Sequence, residues 1–560
     1  MELNKNKIIF FTLIFYFFIF GTIASFLIPP FQKPDEFAHF KKVVSLANFD
    51  WFCQKKQQPL NPNLYQVITN LQISLLPFNY NSKMPVELYK TPPIKGKSIL
   101  FDIKEGCRFF DNFGYLIPVV VYKLTSFLSL NGFILFGLMR FLIFTCSYTV
   151  LIYFILKGKN SFIKQISFFI LALPMTINQL SAFSYDVGHL FFGLMFINLF
   201  FNFLEIKKLS WTSLTCLLVV FFLFIFSKAL YESFFLLFFL ISRKKLTSIG
   251  IKKEMFLLLI FMAIVVLRLS FYEKTGINLG NYDSTIQKEI LLENPWRLFS
   301  ILKKTYFDSF EFYVKSLIGI LGWLDFHLDF FVYVFFVAIF GYIIGVNLKS
   351  IKITSGEAII YFLLLISGLL GLFLGEFFYW TSPGASRIEG VQGRYLIIFL
   401  PFFSYLLIYL IRNIKYSFIL IVFFLLILNL RSIYYRYYDY SVYARPTKDL
   451  LISKKRYILI KPRSEKIFTI KEKIIGACYG VYLKFKNKKF NSPVKVEIFD
   501  DKNKQVVYFL KEQVNNSQVA IGVSFPKTKF QKPVYIKVVN KYSLKSLIIL
   551  DEAALNCIQD

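Results

Sequence analysis

Long apolar runs separated by short basic loops dominate residues 8–434. Most runs are roughly 16 to 25 residues long, the length a helix needs to cross hydrocarbon while satisfying its own backbone hydrogen bonds. The pattern predicts spans at 8–28, 132–156, 166–181, 187–204, 212–227, 231–242, 255–271, 329–347, 357–379, 395–411 and 416–434. The stretch 212–242 decides the topology. As one helix it would leave Arg243, Lys244, Lys245, Lys252 and Lys253 on the outer side, against the preference of Lys and Arg for the cytoplasmic side. Two short crossings put the basic loops 157–164, 207–208, 243–253, 349–352 and 412–415 in the cytoplasm. The N-terminus is then expected inside and the C-terminus outside. Segment 8–28 follows Lys5 and Lys7, and its apolar core exceeds the about 7–15 residues of a cleaved signal, so a retained anchor is expected.

In this topology the outer side receives loop 29–131, loop 272–328 and the short stretch 380–394. The first loop contains Pro-rich turns and two candidate interfacial helices. One runs from Asp35 to Phe49, with Phe37, Phe40, Val44 and Ala47 on one face, as in a helix lying on the bilayer. Beyond residue 434 the long runs stop. Short alternating segments such as KRYILIKP, GVYLKFKN, VKVEIFDD and VYIKVVN are split by Asn, Gly, Pro and Asp. They predict an extracytoplasmic β-sandwich of about seven or eight strands over 435–560. The expected fold is an α-helical polytopic membrane protein of about eleven spans (1–434) with this C-terminal domain.

Composition agrees: 56% of residues are hydrophobic, 71 are Phe, and the mean hydropathy is +0.55. The net charge of +31 does not point to nucleic acid, because many cations lie in interhelical loops and no basic domain carries a recognition pattern. Of six cysteines, Cys146 and Cys216 fall in spans as small apolar groups. Cys53 and Cys107 share the first outer loop, and Cys478 and Cys557 share the terminal domain. Two disulfides in oxidising space are expected, with four unpaired thiols as the alternative.

Candidate chemistry gathers at predicted outer span ends. PPFQKPDEFAHF follows the first span, with Asp35 and His39 four apart on one helical face. One reading is a helix start, with Pro34 at the first position and two acids in the first turn. The other is a general base for an acceptor hydroxyl, or ligands for a divalent ion. SAFSYDVGH carries Asp186 and His189, FSKALYES carries Lys228 and Tyr231, and GILGWLDFH carries Asp325 and His327. SRIEGVQGRY carries Arg387, Glu389, Gln392 and Arg394. Each residue alone is more often a capping or snorkelling group than a ligand. Together they suggest the lining of one cavity, with the mid-span Arg140 as a structural partner of a neighbouring helix.

The ordered set PDEFAH, SYD, SKALY, GWLD and GVQGRY resembles a bacterial membrane-protein family catalogued as domain of unknown function 2142, itself similar to the GT-C glycosyltransferases. The resemblance covers roughly residues 8–434. It implies an inverting glycosyltransferase of the bacterial inner membrane, moving sugar from a polyprenyl-phosphate donor to a glycan or lipid-linked acceptor on the outer face. By position it implies Asp35 as base or metal ligand with Glu36 as partner. His39, Asp186, Lys228, Tyr231, Asp325, Gln392 and Arg394 would bind substrate or the lipid phosphate, and Arg394 would grip that phosphate. The sequence names no cofactor, and a divalent cation on Asp35 and Glu36 stays open. A flippase of lipid-linked saccharides and a non-catalytic glycan-binding assembly protein are the competing classes.

Overall fold

The computed structural model describes residues 18–413 except 53, 72–88, 95, 97, 104–109, 207–208, 273–283, 325, 382–384 and 386, together with strands between 448 and 557. These residues divide into two compact units. One comprises 1–277, 311–371 and 392–415; the other comprises 278–310, 372–391 and 416–560.

Among the described residues, five helices are long and apolar enough to cross a membrane: Gly132–Lys157, Tyr185–Glu205, Phe330–Asn347, Ser355–Tyr379 and the stretch Gly393–Arg412. The expected span 166–181 is instead a broken pair, Ser161–Ala172 and Pro174–Leu180, bent by 72°. Pro174 is the cause. It cannot donate to the preceding turn, and it drives Leu173 into extended backbone (ψ 129°). Lys253–Tyr272 forms the helix expected over 255–271, and 416–434 lies outside the described residues.

The stretch 211–240 reverses direction. Helix Trp211–Ile225 is followed by a turn at Lys228–Leu230 and a 3₁₀ helix, Glu232–Leu240. Phe221 meets Phe238 at 4.9 Å and Phe224 meets Phe234 at 4.8 Å, the ladder of an antiparallel hairpin. Nine 3₁₀ residues reach about 18 Å, so the returning arm is shorter than a full crossing.

Two expectations need correction. The helix starting after Asp35 does not lie on a bilayer with its apolar face. In Glu36–Ala47, Phe40, Val43, Val44 and Leu46 are buried, and Phe40 packs on Phe31, Phe136 and Phe183. Loop 272–328 contains two helices, Ser284–Glu293 and Trp296–Ile318. The second is amphipathic and carries Lys303, Lys304, Asp308, Glu311 and Lys315, which is why no apolar run marked it.

The C-terminal region is rich in sheet. Four strands pair in the order Lys504–Phe509, Val494–Phe499, Val534–Val539, Glu465–Ile470. A second antiparallel sheet joins Ile521–Thr528, Cys478–Phe485, Leu547–Cys557 and Lys448–Leu451, with Tyr457–Ile460 also on Leu547–Cys557. Val494, Val496 and Ile498 alternate inward, as do Val534, Ile536 and Val538, the period-2 signal of a half-buried strand.

Candidate functional site

The two acids of PDEFAH take opposite roles. Glu36 is wholly buried. Its Oε1 accepts from Arg140 Nε at 2.8 Å and from Phe183 N at 3.2 Å, while Oε2 accepts from Phe31 N at 3.1 Å and from Arg140 Nη2. Arg140 also donates to the carbonyls of Ile28 (2.5 Å) and Pro29 (3.1 Å). Glu36 and Arg140 therefore tie the start of Glu36–Ala47 and the backbone at Ile28 and Pro29 to Gly132–Lys157, as the mid-span Arg140 suggested. With both oxygens occupied it is no longer available as a catalytic partner or metal ligand. Among the described residues, no group of three His, Cys, Asp or Glu side chains is placed to hold a metal ion.

Asp35 is different. The helix begins at Glu36 rather than Pro34, and Asp35 is the N-cap in left-handed backbone (φ 57°, ψ 10°), making no side-chain capping bond. Asp is a preferred N-cap, so a carboxylate that does not cap points elsewhere. It lies within electrostatic reach of the Arg394 guanidinium. Before it, Lys33 donates to the carbonyls of Asn178 (3.0 Å) and Ser181 and to Ser181 Oγ (2.8 Å), closing the C-terminal end of helix Pro174–Leu180. Burial, with Arg140 adding and Glu36 opposing, holds the Lys33 pKa well below the usual ammonium range.

At the start of helix Tyr185–Glu205, Ser184 Oγ accepts from Asp186 N at 3.1 Å and fixes the first turn. Asp186 Oδ1 accepts from Lys228 Nζ at 2.8 Å, and its Oδ2 stands 3.3 Å from Arg394 Nε. All three are buried (relative exposure 3%, 9% and 5%). Lys228 sits 3.5 Å from the Tyr395 ring centre and 4.8 Å from that of Tyr185. Among the described residues Arg394 Nη1 has no hydrogen-bond partner, nor has Nε, whose 3.3 Å approach to Asp186 misses good alignment. Gln392 Oε1 and His189 Nε2 are likewise buried and unpartnered.

His39 joins the same neighbourhood. Its Nδ1 is 2.6 Å from Tyr115 Oη, and its ring meets Tyr185 edge-on at 4.8 Å. Removal from water lowers its pKa to about 3; Asp186 opposes, while Arg394, Lys42 and Lys228 push it further down. The imidazole is neutral at physiological pH. Close glycine packing holds this corner together, since a Cβ on Gly188 would lie 2.5 Å from the Gly114 carbonyl oxygen.

Other predicted residues fall elsewhere. The Tyr231 hydroxyl donates to the Tyr395 carbonyl at 2.9 Å, so this wholly buried side chain ties SKALY to GVQGRY and has no hydroxyl proton to offer a ligand. Gly393, just before Arg394 in GVQGRY, lacks a Cβ and could on that ground let backbone approach a ligand. Instead a Cβ there would lie 2.0 Å from the Tyr313 carbonyl oxygen, so this glycine allows a tight helix crossing. Arg387 and Glu389 are exposed, and Arg394 pairs with Asp186 rather than with Glu389. Asp325, Cys53 and Cys107 lie outside the described residues. Cys478 and Cys557 are directly opposed in the strand register, and Cys146 and Cys216 are free thiols as expected. Sequence reading did not single out Lys33, Tyr185 or Tyr395, which lie in chosen motifs, or Tyr115, which lies in none.

Backbone strain marks the same segments. Among the described residues five non-glycine positions have positive φ, and four are Phe31, Asp35, Leu230 and Leu324, within or beside PDEFAH, SKALY and GWLD. For bulky Phe and Leu this is a costly conformation that tertiary contacts must impose, and such positions cluster at functional sites. One such contact is visible: Trp323 Nε1 donates to the Phe31 carbonyl at 2.9 Å.

The segments that carry these motifs lie within the match to a family model described as predicted membrane protein (DUF2142), over residues 18–403. The chain belongs to this family. No curated protein and no solved structure matches it.

Proposed function

We propose that this family member is a membrane glycosyltransferase whose donor is a sugar on a polyprenyl phosphate, with transfer on the outer face of the bacterial inner membrane. The observation that carries this reading is the buried Asp186–Lys228–Arg394 triad with its unpaired guanidinium donor. A buried guanidinium donor without a partner among the described residues is costly unless an anionic oxygen completes it. A phosphate fits. Arg394 supplies the fork and Lys228 a point charge, stabilising negative charge that develops on the leaving phosphate.

Asp35 is the base that takes the proton of the acceptor hydroxyl, and its carboxylate makes no capping bond to its own helix. The reaction breaks the bond between the anomeric carbon and the phosphate oxygen and forms one from the acceptor oxygen to that carbon. The phosphate leaves with the bonding pair. Neutral His39, held by Tyr115, adds one hydrogen-bonding nitrogen beside Asp35 without adding charge. In this reading the C-terminal sheets are a sandwich on the outer side that meets glycan.

A flippase reading draws on one observation, the broken pair at Pro174, because interrupted spans line transport sites. Lys33 already fills the carbonyl end of helix Pro174–Leu180, which favours a closed structural joint. Binding of a long-chain polyprenyl phosphate to the purified protein in nanodiscs tests the site. Wild type should bind, and Arg394→Ala should weaken binding at least tenfold, about the 1.4 kcal/mol of one charge-assisted bond. Equal affinity would remove the phosphate from this site.

A further inference from the structure

At the other end of Gly393–Arg412 from Arg394, three membrane helices end around a second basic site. The residues after Phe330–Asn347, those before Ser355–Tyr379 and the last turn of Gly393–Arg412 enclose a cavity of about 220 Å³. Its lining is Ile351, Lys352, Ile353, Ile408, Tyr409 and Arg412. Arg412 Nη1 donates to the Ile351 carbonyl at 2.8 Å, which fixes the guanidinium at the rim. Tyr409 Oη lies 3.2 Å from Ser355 Oγ, so the tyrosine is held across the gap between two helices. The acid on this stretch, Glu357, is committed to the helix start, accepting from Thr354 N at 2.8 Å and Thr354 Oγ1 at 2.9 Å.

We propose that this cavity binds the phosphate of an anionic phospholipid. The argument is one of chemistry and depth. Lys352 and Arg412 offer two positive charges and one planar fork, and such basic pockets at membrane-helix ends are suited to lipid phosphates. Half of the lining is isoleucine, which gives a hydrated free anion nothing but suits the glycerol and first methylenes of a lipid. The position at three span ends sets the pocket at the depth where headgroups lie. This site stands apart from the glycosyl-transfer reading and does not depend on it.

Native mass spectrometry of the purified full-length protein, with phosphatidylglycerol or phosphatidylcholine as the lipid, tests the proposal. Wild type should retain phosphatidylglycerol in preference. Lys352→Gln and Arg412→Gln should each weaken retention about fivefold, the effect of about one lost cation near a membrane surface. Lys349→Gln, which removes an exposed charge from the same loop outside the cavity, should behave as wild type. An equal loss in Lys349→Gln would reduce the site to a diffuse basic surface. Undiminished preference in the Lys352→Gln/Arg412→Gln double variant would overturn it outright. Displacement of the lipid by millimolar inorganic phosphate would overturn the lipid assignment in favour of a free-anion site.

Discussion

Lys228 donates to Asp186 Oδ1 at 2.8 Å, across 42 positions of chain, and both side chains are buried. This bond joins the SYD and SKALY segments, and Arg394 closes the triad from GVQGRY at 3.3 Å. Truncating the carboxylate tests how far the cations depend on it. Asp186→Asn removes the carboxylate that Lys228 and Arg394 share and should cost about 3–5 kcal/mol, read as a lowered unfolding temperature in detergent. A polyprenyl phosphate added to Asp186→Asn should recover part of the loss by supplying the missing negative charge.

The adjacent acids should separate cleanly. Glu36→Gln leaves Arg140 as an uncompensated buried cation and should destabilise by about 3–5 kcal/mol. Asp35→Asn should change stability by less than about 1 kcal/mol, because Asn tolerates left-handed backbone and Asp35 makes no capping bond that its amide must replace. Thermal unfolding of the two variants side by side gives the comparison, and equal losses would contradict the division of roles.

His39 gives a pH signature. Its folded pKa, about 3, lies below the unfolded value near 6.5. Between these values the unfolded chain takes up a proton that the folded protein refuses. Stability from this group is therefore complete above about pH 6.5 and falls as pH drops toward 3. His39→Gln should flatten that part of the stability profile, so the difference between wild type and variant shrinks or reverses on acidification. A constant difference from pH 7 to about pH 4 would show that His39 does not titrate as described.

The opposed register of Cys478 and Cys557 leads to a covalent prediction. Mass spectrometry of non-reduced protein from oxidising conditions should find them linked, with Cys146 and Cys216 alkylatable. An alkylated Cys478 would contradict it.

These roles were legible in the sequence to unequal degrees. Polar residues at the ends of apolar runs identified four segments that do converge, because charge near a bilayer is rarely placed without a partner or a task. The hairpin at 211–240 was legible through Arg243, Lys244 and Lys245, which constrained the direction of the chain. Which acid of the pair is tied into the fold was not. Successive helical residues point about 100° apart, and what occupies Glu36 is Arg140, a partner 104 positions away. Glycine posed the same difficulty. Gly393 reads as a ligand-approach glycine until the Tyr313 carbonyl is found against it. The break at 172–174 was visible in Pro174, but hydropathy averaged over it. The helix Trp296–Ile318 was missed because its polar face breaks the apolar run that marks a span.

The measurement that tests the central claim most directly is the surface-glycan profile of cells lacking this protein, complemented with wild type, Asp35→Asn or Arg394→Lys. Membrane levels of each variant are measured in parallel. Wild type should restore the missing glycan. Asp35→Asn, inserted at wild-type level, should restore none, and Arg394→Lys should restore little because an ammonium cannot reproduce the guanidinium fork. Full restoration of the glycan by Asp35→Asn would contradict the assignment of Asp35 as the base.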